Sequence, residues 1–225
     1  MSTLLLRLAA PLQSWGDDSN FNNRRTYSVP TKSGVLGMIA AALGRKRDDS
    51  IDDLKMLEMG VRVDQAGSVL TDFQMVHGKK QSDITQRYYL SDAVFLVGLT
   101  HPDDLFINSL KEALLHPAFP LFLGRRSCPP SYPLVLGIRD CNLKEALENE
   151  PWLAQEWRKK RLSGKLRLIL ESTGKGTAIY HRLRDVPVSF NPEQREYQYR
   201  YVQEEGYVSC SSESKTEHDA FGELE

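Results

Sequence analysis

The sequence predicts an α+β protein, and three observations support that class. A short apolar run at Thr3–Ala9 is typical of a buried strand. The longer apolar run Val35–Leu43 lies between helix start and stop signals and indicates a buried helix. Strand-like segments and an amphipathic helix follow. The order strand, helix, strand, strand, helix, strand is that of a split βαβ unit. We therefore predict a ferredoxin-like (RRM-like) βαββαβ sandwich with a protruding thumb hairpin and a less regular C-terminal β-rich lobe.

The first strand and the first helix are delimited by residues with known backbone preferences. Pro11 ends the strand, and the polar segment Asp17–Ser28 is expected to be a loop. Thr31 or Ser33 can supply the hydroxyl oxygen that caps a helix start, and Gly44 is a suitable helix stop. The apolar run between them is therefore expected to be one buried helix.

The rest of the sandwich is predicted from hydrophobic periodicity. The expected elements are a short helix at Ile51–Met59 ended by Gly60, strands at Val61–Asp64 and Val69–Val76 with the turn 66–68 between them, a strand pair or one bent strand at Thr85–Thr100, and an amphipathic helix at Pro102–His116. The apolar face of that last helix is expected to comprise Leu105, Phe106, Leu110, Leu114 and Leu115.

A hairpin arm is predicted at about residues 72–90. The polar, basic segment His77–Asp83 separates two strand-like segments, which places Lys79 and Lys80 at the tip of the arm. Arg87 then lies on the returning strand. A solvated hairpin turn explains the same residues equally well.

The second half of the chain is less regular. A strand at Leu134–Ile138 completes a first domain of residues 1–140, and residues 141–208 are assigned to a smaller lobe. The expected elements of this lobe are helical segments at Leu143–Glu148 and Trp152–Leu162, a hairpin of Lys165–Ser172 with Thr177–Tyr180, and a strand at Val186–Phe190. Residues 209–225 carry an excess of acidic side chains and are expected to be a disordered tail.

Composition places the chain among globular proteins, and its charge is unevenly distributed. The 225 residues have a formal net charge of −1. Between residues 19 and 47, however, all charged side chains are basic: Arg24, Arg25, Lys32, Arg45, Lys46 and Arg47. A near-neutral molecule can therefore present a positive face that attracts an anionic ligand.

The sequence has no apolar run of the roughly 20 residues that would span a membrane. Three widely spaced cysteines indicate reduced thiols in the cytoplasm.

Two segments have the composition of a phosphate-binding site. The predicted helix start at Thr31–Gly34 offers backbone N–H groups, hydroxyls and the Lys32 ammonium. Arg125 and Arg126 lie between a glycine and Ser-Cys-Pro-Pro, on a loop stiffened by prolines, which suits bidentate contact with phosphate. The alternatives are an ordinary capped core helix and an arginine paired with a carboxylate.

Patterns typical of enzymes are absent from the sequence. The glycine turn at 173–177 lacks the spacing of a Walker loop, the five histidines have no metal-ligand spacing, and no GxSxG motif occurs. Cys128 beside Arg125 could be an activated nucleophile, and the alternative is a packed thiol. The sequence thus predicts no catalytic residue, no metal and no cofactor.

Four blocks of sequence resemble one family. The blocks are LRLAAPLQSWG at Leu6–Gly16, VPTKSGVLGMIAAALG at Val29–Gly44, RYYLSDAVFLVGL at Arg87–Leu99 and LGRRSCPPSYPLVLG at Leu123–Gly137. In this order they resemble the CasD subunits of CRISPR Cascade complexes of subtype I-E, which are RAMP-type RNA-binding proteins. The resemblance covers roughly residues 1–139.

The resemblance implies a non-catalytic subunit of an antiviral surveillance complex, which grips the 5′ handle of the CRISPR RNA and caps the backbone filament. The implied partners are CRISPR RNA, the CasC backbone and CasA large subunits and, indirectly, target DNA. No membrane contact is implied. The RNA-binding residues predicted from both lines of reasoning are Arg24, Arg25, Thr31, Lys32, Ser33, Gly34, Gly37, Lys79, Lys80, Arg87, Tyr88, Arg125, Arg126 and Ser127.

The alternative function is a metal-independent endoribonuclease that processes precursor CRISPR RNA. Some relatives in another subtype cut RNA with a Tyr, Lys and His set, whereas Gln86-Arg87-Tyr88 at the corresponding place has neither Lys nor His. A general base would have to come from His77 or His116.

Overall fold

The computed structural model describes residues 2–16, 23–77, 82–174, 179–191 and 193–209. The described strands are β1 (Ser2–Ala9), β2 (Leu12–Gln13), β3 (Trp15–Gly16), β4 (Asn23–Arg24), β5 (Thr26–Tyr27), β6 (Glu58–Gln65), β7 (Ser68–His77), β8 (Ser82–Ser91), β9 (Val94–His101), β10 (Val135–Arg139), β11 (Lys165–Ser172), β12 (Tyr180–Ser189) and β13 (Glu196–Ser209). The described helices are α1 (Lys32–Ala42), α2 (Asp52–Lys55), α3 (Asp104–Leu115), α4 (Leu143–Asn149) and α5 (Glu156–Lys159). This is a mixed α/β fold.

A seven-stranded sheet organises the molecule, in the order β10-β1-β9-β6-β11-β13-β12 with every neighbouring pair antiparallel. Strand β1 is apolar on both faces because both faces are covered. Leu4 and Leu6 belong to the main core with α1 and α3, whereas Leu5 packs with α4 residues on the opposite face. Helices therefore cover both faces of this sheet.

Helix α1 begins and ends as the sequence predicts. Thr31 caps it, since its Oγ1 accepts the Gly34 N–H at 3.3 Å. Gly44, just beyond the C-cap Leu43, has φ +76°, a left-handed conformation that favours glycine.

The predicted helix at 51–59 is too long. Only Asp52–Lys55 is helical, and β6 already begins at Glu58. Gly60 does not stop a helix but pairs with Gly98 inside the sheet. A Cβ at Gly60 would lie 2.7 Å from Leu147, so the glycine provides room for α4. The glycine that the sequence analysis interpreted as a helix stop is therefore required for packing.

Helix α3 is where the sequence predicts it, but its buried face differs. Ile107, Leu110 and Leu114 are its buried residues, whereas Leu105 is 81% exposed. These three positions follow the i, i+3, i+7 spacing of one helix face. Leu105 and Leu115 lie on the solvent side, so including them in the apolar face was wrong.

The predicted pairing of the last strands is also wrong. Strand β11 pairs with β6 and β13, and β12 pairs with β13, so β11 and β12 are not hairpin partners. Strand β13 lies between them, in a segment where no strand was predicted. Its charged and tyrosine side chains mask the alternation, and Val202 is its buried position. The predicted helix at 152–162 is reduced to α5, and the predicted tail beyond residue 209 lies outside the described residues.

Candidate nucleic-acid interface

The predicted hairpin arm is confirmed by β7 and β8, which we call the thumb hairpin. The two strands pair from Ser68–Ser91 at the base to His77–Ser82. The predicted tip residues Lys79 and Lys80 lie outside the described residues. The strand-like segment 85–100 is two strands, separated at Asp92, whose φ is +54°.

The two faces of the thumb hairpin carry different kinds of side chain. Residues opposite each other on paired strands share a face, so the register assigns each residue to one face. One face carries exposed apolar side chains, including Phe73, Met75 and Ile84. The other face carries Asp72 opposite Arg87 and Leu70 opposite Tyr89. Arg87 is therefore on the polar face, as a phosphate contact requires.

A groove of about 500 Å³ lies on the polar face at the base of the thumb hairpin, and we call it the thumb-base groove. It is lined by Leu12, Leu70, Thr71, Asp72, Gln74, Arg87, Tyr89 and Ser127. The lining combines the Arg87 guanidinium and the Asp72 carboxylate with hydroxyl, amide and apolar groups. The groove thus joins the thumb hairpin to Ser127, which is 40 positions from Arg87 in the sequence.

The segment Gly124–Cys128, which we call the arginine loop, is held rigidly against this groove. The Leu123 N–H donates to the Cys128 carbonyl at 2.7 Å, and the Cys128 N–H donates to the Arg125 carbonyl at 2.9 Å. Gly124 has φ +84°, and a Cβ there would lie 1.6 Å from the Ser14 carbonyl oxygen. Glycine is therefore required for the loop to approach this closely.

Arg125 connects the arginine loop to the thumb hairpin and to Arg24. Its guanidinium carbon lies 4.6 Å from the centroid of the Tyr89 ring, and its Nη2 donates to the Arg24 carbonyl at 2.8 Å. Arg24 on β4 pairs in register with Arg87 on β8. Three predicted arginines, from three distant segments, therefore meet beside the thumb-base groove.

Two N–H donors at this meeting point have no hydrogen-bond partner among the described residues. They are Nε of Arg87 and Nη1 of Arg125. A buried donor left unpaired is unfavourable by about 1–3 kcal/mol. A phosphate oxygen that reached these guanidiniums would relieve that penalty.

The other residues predicted around the groove are placed as follows. Arg25, Arg126 and Ser127 are exposed. Tyr88 is half-buried on the face opposite to Arg87, and its hydroxyl donates to Gln86 Oε1 at 3.1 Å. Tyr89, only 5% exposed, is the core member of the tyrosine pair. Because successive residues of a strand point to opposite faces, only one of these two tyrosines lies in the core.

Cys128 is a packed thiol. Burial raises the pKa of this thiol above its ordinary value, against the smaller opposing effects of Ser127 and Arg125. The neutral thiol is therefore favoured, and the nucleophile interpretation of Cys128 has no support in this environment.

The start of α1 is occupied by the protein's own acidic side chains. Lys32 is only 4% exposed, and its Nζ lies 2.9 Å from Glu171 Oε1. Its backbone N–H donates to Asp185 Oδ2 at 2.8 Å. A carboxylate thus lies where an anion would bind the helix start. The Lys32 side chain therefore contacts β11, and its backbone N–H contacts β12.

Arg200 completes this buried ion cluster. It donates to both oxygens of Asp185, at 2.7 and 2.8 Å, and to Glu171 at 3.0 Å. Burial lowers the pKa of Arg200, but hydrogen bonding to Asp185 and the nearby carboxylates outweigh it, so the pKa is raised. The cluster joins the start of α1 to the last strands of the sheet.

Gly34 makes room for an aromatic side chain, because a Cβ there would lie 2.8 Å from the Trp15 ring. A Cβ at Gly37 would lie 3.5 Å from Phe190, which is ordinary van der Waals contact, so no close approach requires this glycine. Ser33 Oγ donates to Thr31 Oγ1 at 3.4 Å, within the cap. We therefore do not include Lys32 and Gly34 in the interface at the thumb-base groove, and the contact of Gly37 with RNA stays a prediction.

Sequence reasoning missed three acidic or basic partners, Glu171, Asp185 and Arg200, and the buried pair of Arg62 with Asp64. Arg62 Nε donates to Asp64 Oδ1 at 2.8 Å and both side chains are fully buried. Two opposite charges spaced i, i+2 in an apolar strand share a face, and this spacing was the available signal. No comparable local signal marks the other three residues.

Among the described residues, no helix is long and apolar enough to cross a membrane.

Comparison with known proteins gives consistent matches. The sequence model of the family described as CRISPR-associated protein (Cas_Cas5) matches residues 3–203. The CRISPR system Cascade subunit CasD of Escherichia coli (strain K12) is 37% identical in an alignment of 150 residues, and the match covers 57% of this chain and 67% of that protein. The resemblance identified from the four sequence blocks is thereby confirmed.

Solved structures match over nearly the whole chain. A chain of a CRISPR RNA-guided surveillance complex is 34% identical, with a TM-score of 0.79, over 93% of this chain and 92% of that one. A crystal structure of a Cas protein is 39% identical, with a TM-score of 0.72, over 93% and 96% of the two chains. This protein therefore belongs to the CRISPR-associated Cas5 family.

Proposed function

We propose that this chain is a non-catalytic subunit of a CRISPR surveillance complex that grips the 5′ handle of the CRISPR RNA and caps the backbone filament. Its proposed protein partners are the CasC backbone and CasA large subunits, and target DNA is contacted indirectly. The complex would act in the cytoplasm. The support for complex membership is the likeness to a surveillance-complex chain and to a Cascade subunit.

The observation that carries the RNA-binding proposal is the convergence of Arg24, Arg87 and Arg125 at the thumb-base groove. Guanidinium groups bind phosphate through paired N–H donors, and single-stranded RNA is commonly held by such contacts. Stacking of Arg125 on Tyr89 orients its guanidinium before RNA arrives. A groove with ordered guanidiniums can hold the phosphate backbone of an RNA in one register.

A ferredoxin-like arrangement of the first half is part of the same proposal. Its support is the order β10-β1-β9-β6 within the sheet, with α1 following β1 and α3 following β9. A βαββαβ chain produces this order when each helix crossover leaves room for one antiparallel strand. RRM-like sheets of this kind serve as RNA-binding scaffolds.

The proposal that the chain is not catalytic rests on the positions of the two candidate general bases. His77 pairs with Ser82, five register positions from the Asp72–Arg87 pair, which is about 17 Å along a strand. His116 is the C-cap of α3. Incubation of repeat RNA with the purified chain tests this directly, because specific cleavage that His77→Ala or His116→Ala abolishes would establish the endoribonuclease instead.

The RNA-binding test uses the complex reconstituted on CRISPR RNA. We expect Arg87→Ala to weaken the binding of handle-containing RNA at least about tenfold, because a hydrogen bond to a charged group contributes about 1.5–3 kcal/mol. The slope of log K against log[salt] should fall by about 0.7 for one lost phosphate contact on a single strand. Arg87→Lys should retain the slope and recover only part of the affinity.

Arg182→Ala is the matched control. Like Arg87, Arg182 lies on a β-strand, but on β12, the edge strand of the seven-stranded sheet, where its guanidinium carbon lies 3.7 Å from the Tyr199 ring centroid. The proposal requires Arg182→Ala to leave affinity and salt dependence unchanged. If Arg87→Ala and Arg182→Ala behave alike, Arg87 is not a phosphate contact.

A further inference from the structure

A second concentration of positive charge lies far from the arginine loop in the sequence, in residues 155–165. Five of these eleven residues are lysine or arginine, and one, Glu156, is acidic. Lys159 pairs with Glu156 at 2.7 Å. Within the described part of the chain, Arg158, Lys160, Arg161 and Lys165 form no ion pair. We call residues 155–165 the basic segment.

An exposed tryptophan orders the arginines of the basic segment. Trp157 is 51% exposed on α5. The guanidinium carbon of Arg158 lies 4.6 Å from its ring centroid, and that of Arg161 lies 5.8 Å away. Nε of Arg158 is buried without a hydrogen-bond partner in the described residues. Trp157 therefore orders two guanidiniums, that of the exposed Arg161 and that of the half-buried Arg158.

Both ends of the basic segment are anchored in the core. Before it, the Trp152 indole N–H donates to the Asp64 carbonyl at 2.9 Å, and the Leu153 N–H donates to Asp64 Oδ2 at 2.7 Å. After it, Leu166 packs with Trp152 in a small buried cluster. A segment fixed at both ends presents its charges with little further loss of conformational freedom.

The basic segment and the thumb hairpin lie at the same end of the seven-stranded sheet. Arg167 pairs with Val63 in the antiparallel pair of β11 and β6. The start of β11 at Lys165 is therefore level with the end of β6 at Gln65, from which the chain enters the thumb hairpin. A long anionic polymer bound at the thumb-base groove could extend towards the basic segment.

We propose that the basic segment is a second nucleic-acid contact, which binds the phosphodiester backbone without reading bases. Its guanidiniums suit phosphate because they are planar and form two parallel hydrogen bonds. Because Arg158 and Arg161 engage the Trp157 ring, the tryptophan acts by orienting them and not by stacking on a base. The site takes single-stranded RNA or duplex DNA through the same chemistry, and it is separate from the handle-binding site proposed above.

The test compares two double variants of the purified full-length chain. Lys160→Gln/Arg161→Gln removes two charges from the basic segment, and Lys46→Gln/Arg47→Gln removes two charges from another exposed pair of neighbours. Binding to a single-stranded RNA and to a DNA duplex is measured by fluorescence anisotropy over a range of salt concentrations. For two phosphate contacts, we expect the salt slope to fall by about 1.4 on the RNA or about 1.8 on the duplex.

The tryptophan supplies an independent readout. Trp15 and Trp152 are buried, so iodide should quench mainly Trp157. Bound nucleic acid should protect Trp157 from iodide in the parent chain. Trp157→Leu, which keeps every charge, should weaken binding at a fixed salt concentration while the salt slope stays the same.

Each outcome decides the proposal. A loss of slope on RNA or on the duplex, relative to the control, supports it and identifies the nucleic acid. The proposal is overturned by equal slopes in both variants or by lack of measurable binding of the parent chain at low salt. Arg87→Ala, measured in parallel, separates this result from the fate of the handle-binding site.

Discussion

Replacing the buried Arg62 by methionine tests the junction between β6 and the end of α4. The Arg62 guanidinium donates to both oxygens of Asp64, at 2.8 and 2.9 Å. It also donates to the Leu147 and Glu150 carbonyls at 2.6 Å and to the Pro151 carbonyl at 2.9 Å. The contacts with Leu147 and Glu150 satisfy carbonyls that α4 leaves unpaired at its C-terminal end, and Pro151 lies just beyond that end.

The expected loss of stability follows from what the substitution leaves behind. Methionine has a similar length and fills much of the space, so the penalty is electrostatic. The Asp64 carboxylate would stay fully buried with the Leu153 N–H as its remaining hydrogen-bond donor in the described structure. Removal of one partner of a buried ion pair is unfavourable by about 3–5 kcal/mol. That is a large fraction of the about 5–15 kcal/mol by which a domain is stable.

Urea unfolding of the purified chain, followed by tryptophan fluorescence, measures this loss. With a urea slope of about 2–3 kcal/mol/M, the midpoint should fall by roughly 1–2 M. The matched control is Arg167→Met on the neighbouring strand β11, where Arg167 pairs with Glu204 and both side chains are about 40% exposed. An exposed ion pair contributes about 0–1 kcal/mol, so the control should shift the midpoint only slightly.

A double-mutant cycle with Asp64→Leu examines the pair itself. The double variant should be less destabilised than the sum of the two single variants, by about 0.5–3 kcal/mol, because neither charge then remains unpaired. The reasoning is refuted if Arg62→Met reduces stability by no more than Arg167→Met, or if the two single effects simply add.

Three further predictions concern the arginine loop, the groove and the Glu58 carboxyl. Gly124→Ala should destabilise the chain by about 1–3 kcal/mol more than Gly206→Ala in urea unfolding. Both glycines have φ near +85°, but a Cβ meets the Ser14 carbonyl only at Gly124, and equal effects would contradict the close approach. Tyr89→Leu should lower RNA affinity about two- to fivefold by removing the Arg125 cation–π contact, while Tyr89→Phe and the control Tyr199→Leu should not. Burial, and next the neighbouring Glu171, raise the pKa of Glu58 above its ordinary 4.5, against a smaller opposing effect of Lys32. The charged carboxylate is therefore disfavoured in the fold, so Glu58→Gln should stabilise the chain at pH 7. This gain should shrink as the pH falls through the raised pKa and vanish below 4.5, and a gain that does not change with pH would contradict the assignment.

Elements marked by local signals could be predicted from the sequence. The Thr31 cap and Gly44 delimit α1 because a hydroxyl and a left-handed glycine act within a few residues. Strand-like segments on either side of a polar, basic segment predicted the thumb hairpin and placed Arg87 on its returning strand. Strand β13 was missed because its charged residues hide the alternation and its partners are set by sheet order.

The residues of the candidate site also divide into those that local sequence patterns identify and those whose role depends on the fold. Composition alone identified the arginines of the segment near residue 24 and of the arginine loop, since like charges close in sequence produce a local field. It could not show that Lys32 is neutralised, because its partner Glu171 is 139 residues away. Burial of a lysine depends on which carboxylate the folded chain brings to it.

The sequence by itself therefore determined the family, the main helices, the thumb hairpin and the arginines at its base, all of which depend on short-range patterns. Only the tertiary structure decided which cationic side chains lie at the thumb-base groove and which form ion pairs inside the protein. Strand register places Arg87 in the groove, and Arg125 lies beside it, stacked on the groove residue Tyr89. Lys32 and Arg62 are held by carboxylates in the interior, because a buried charge must be paired.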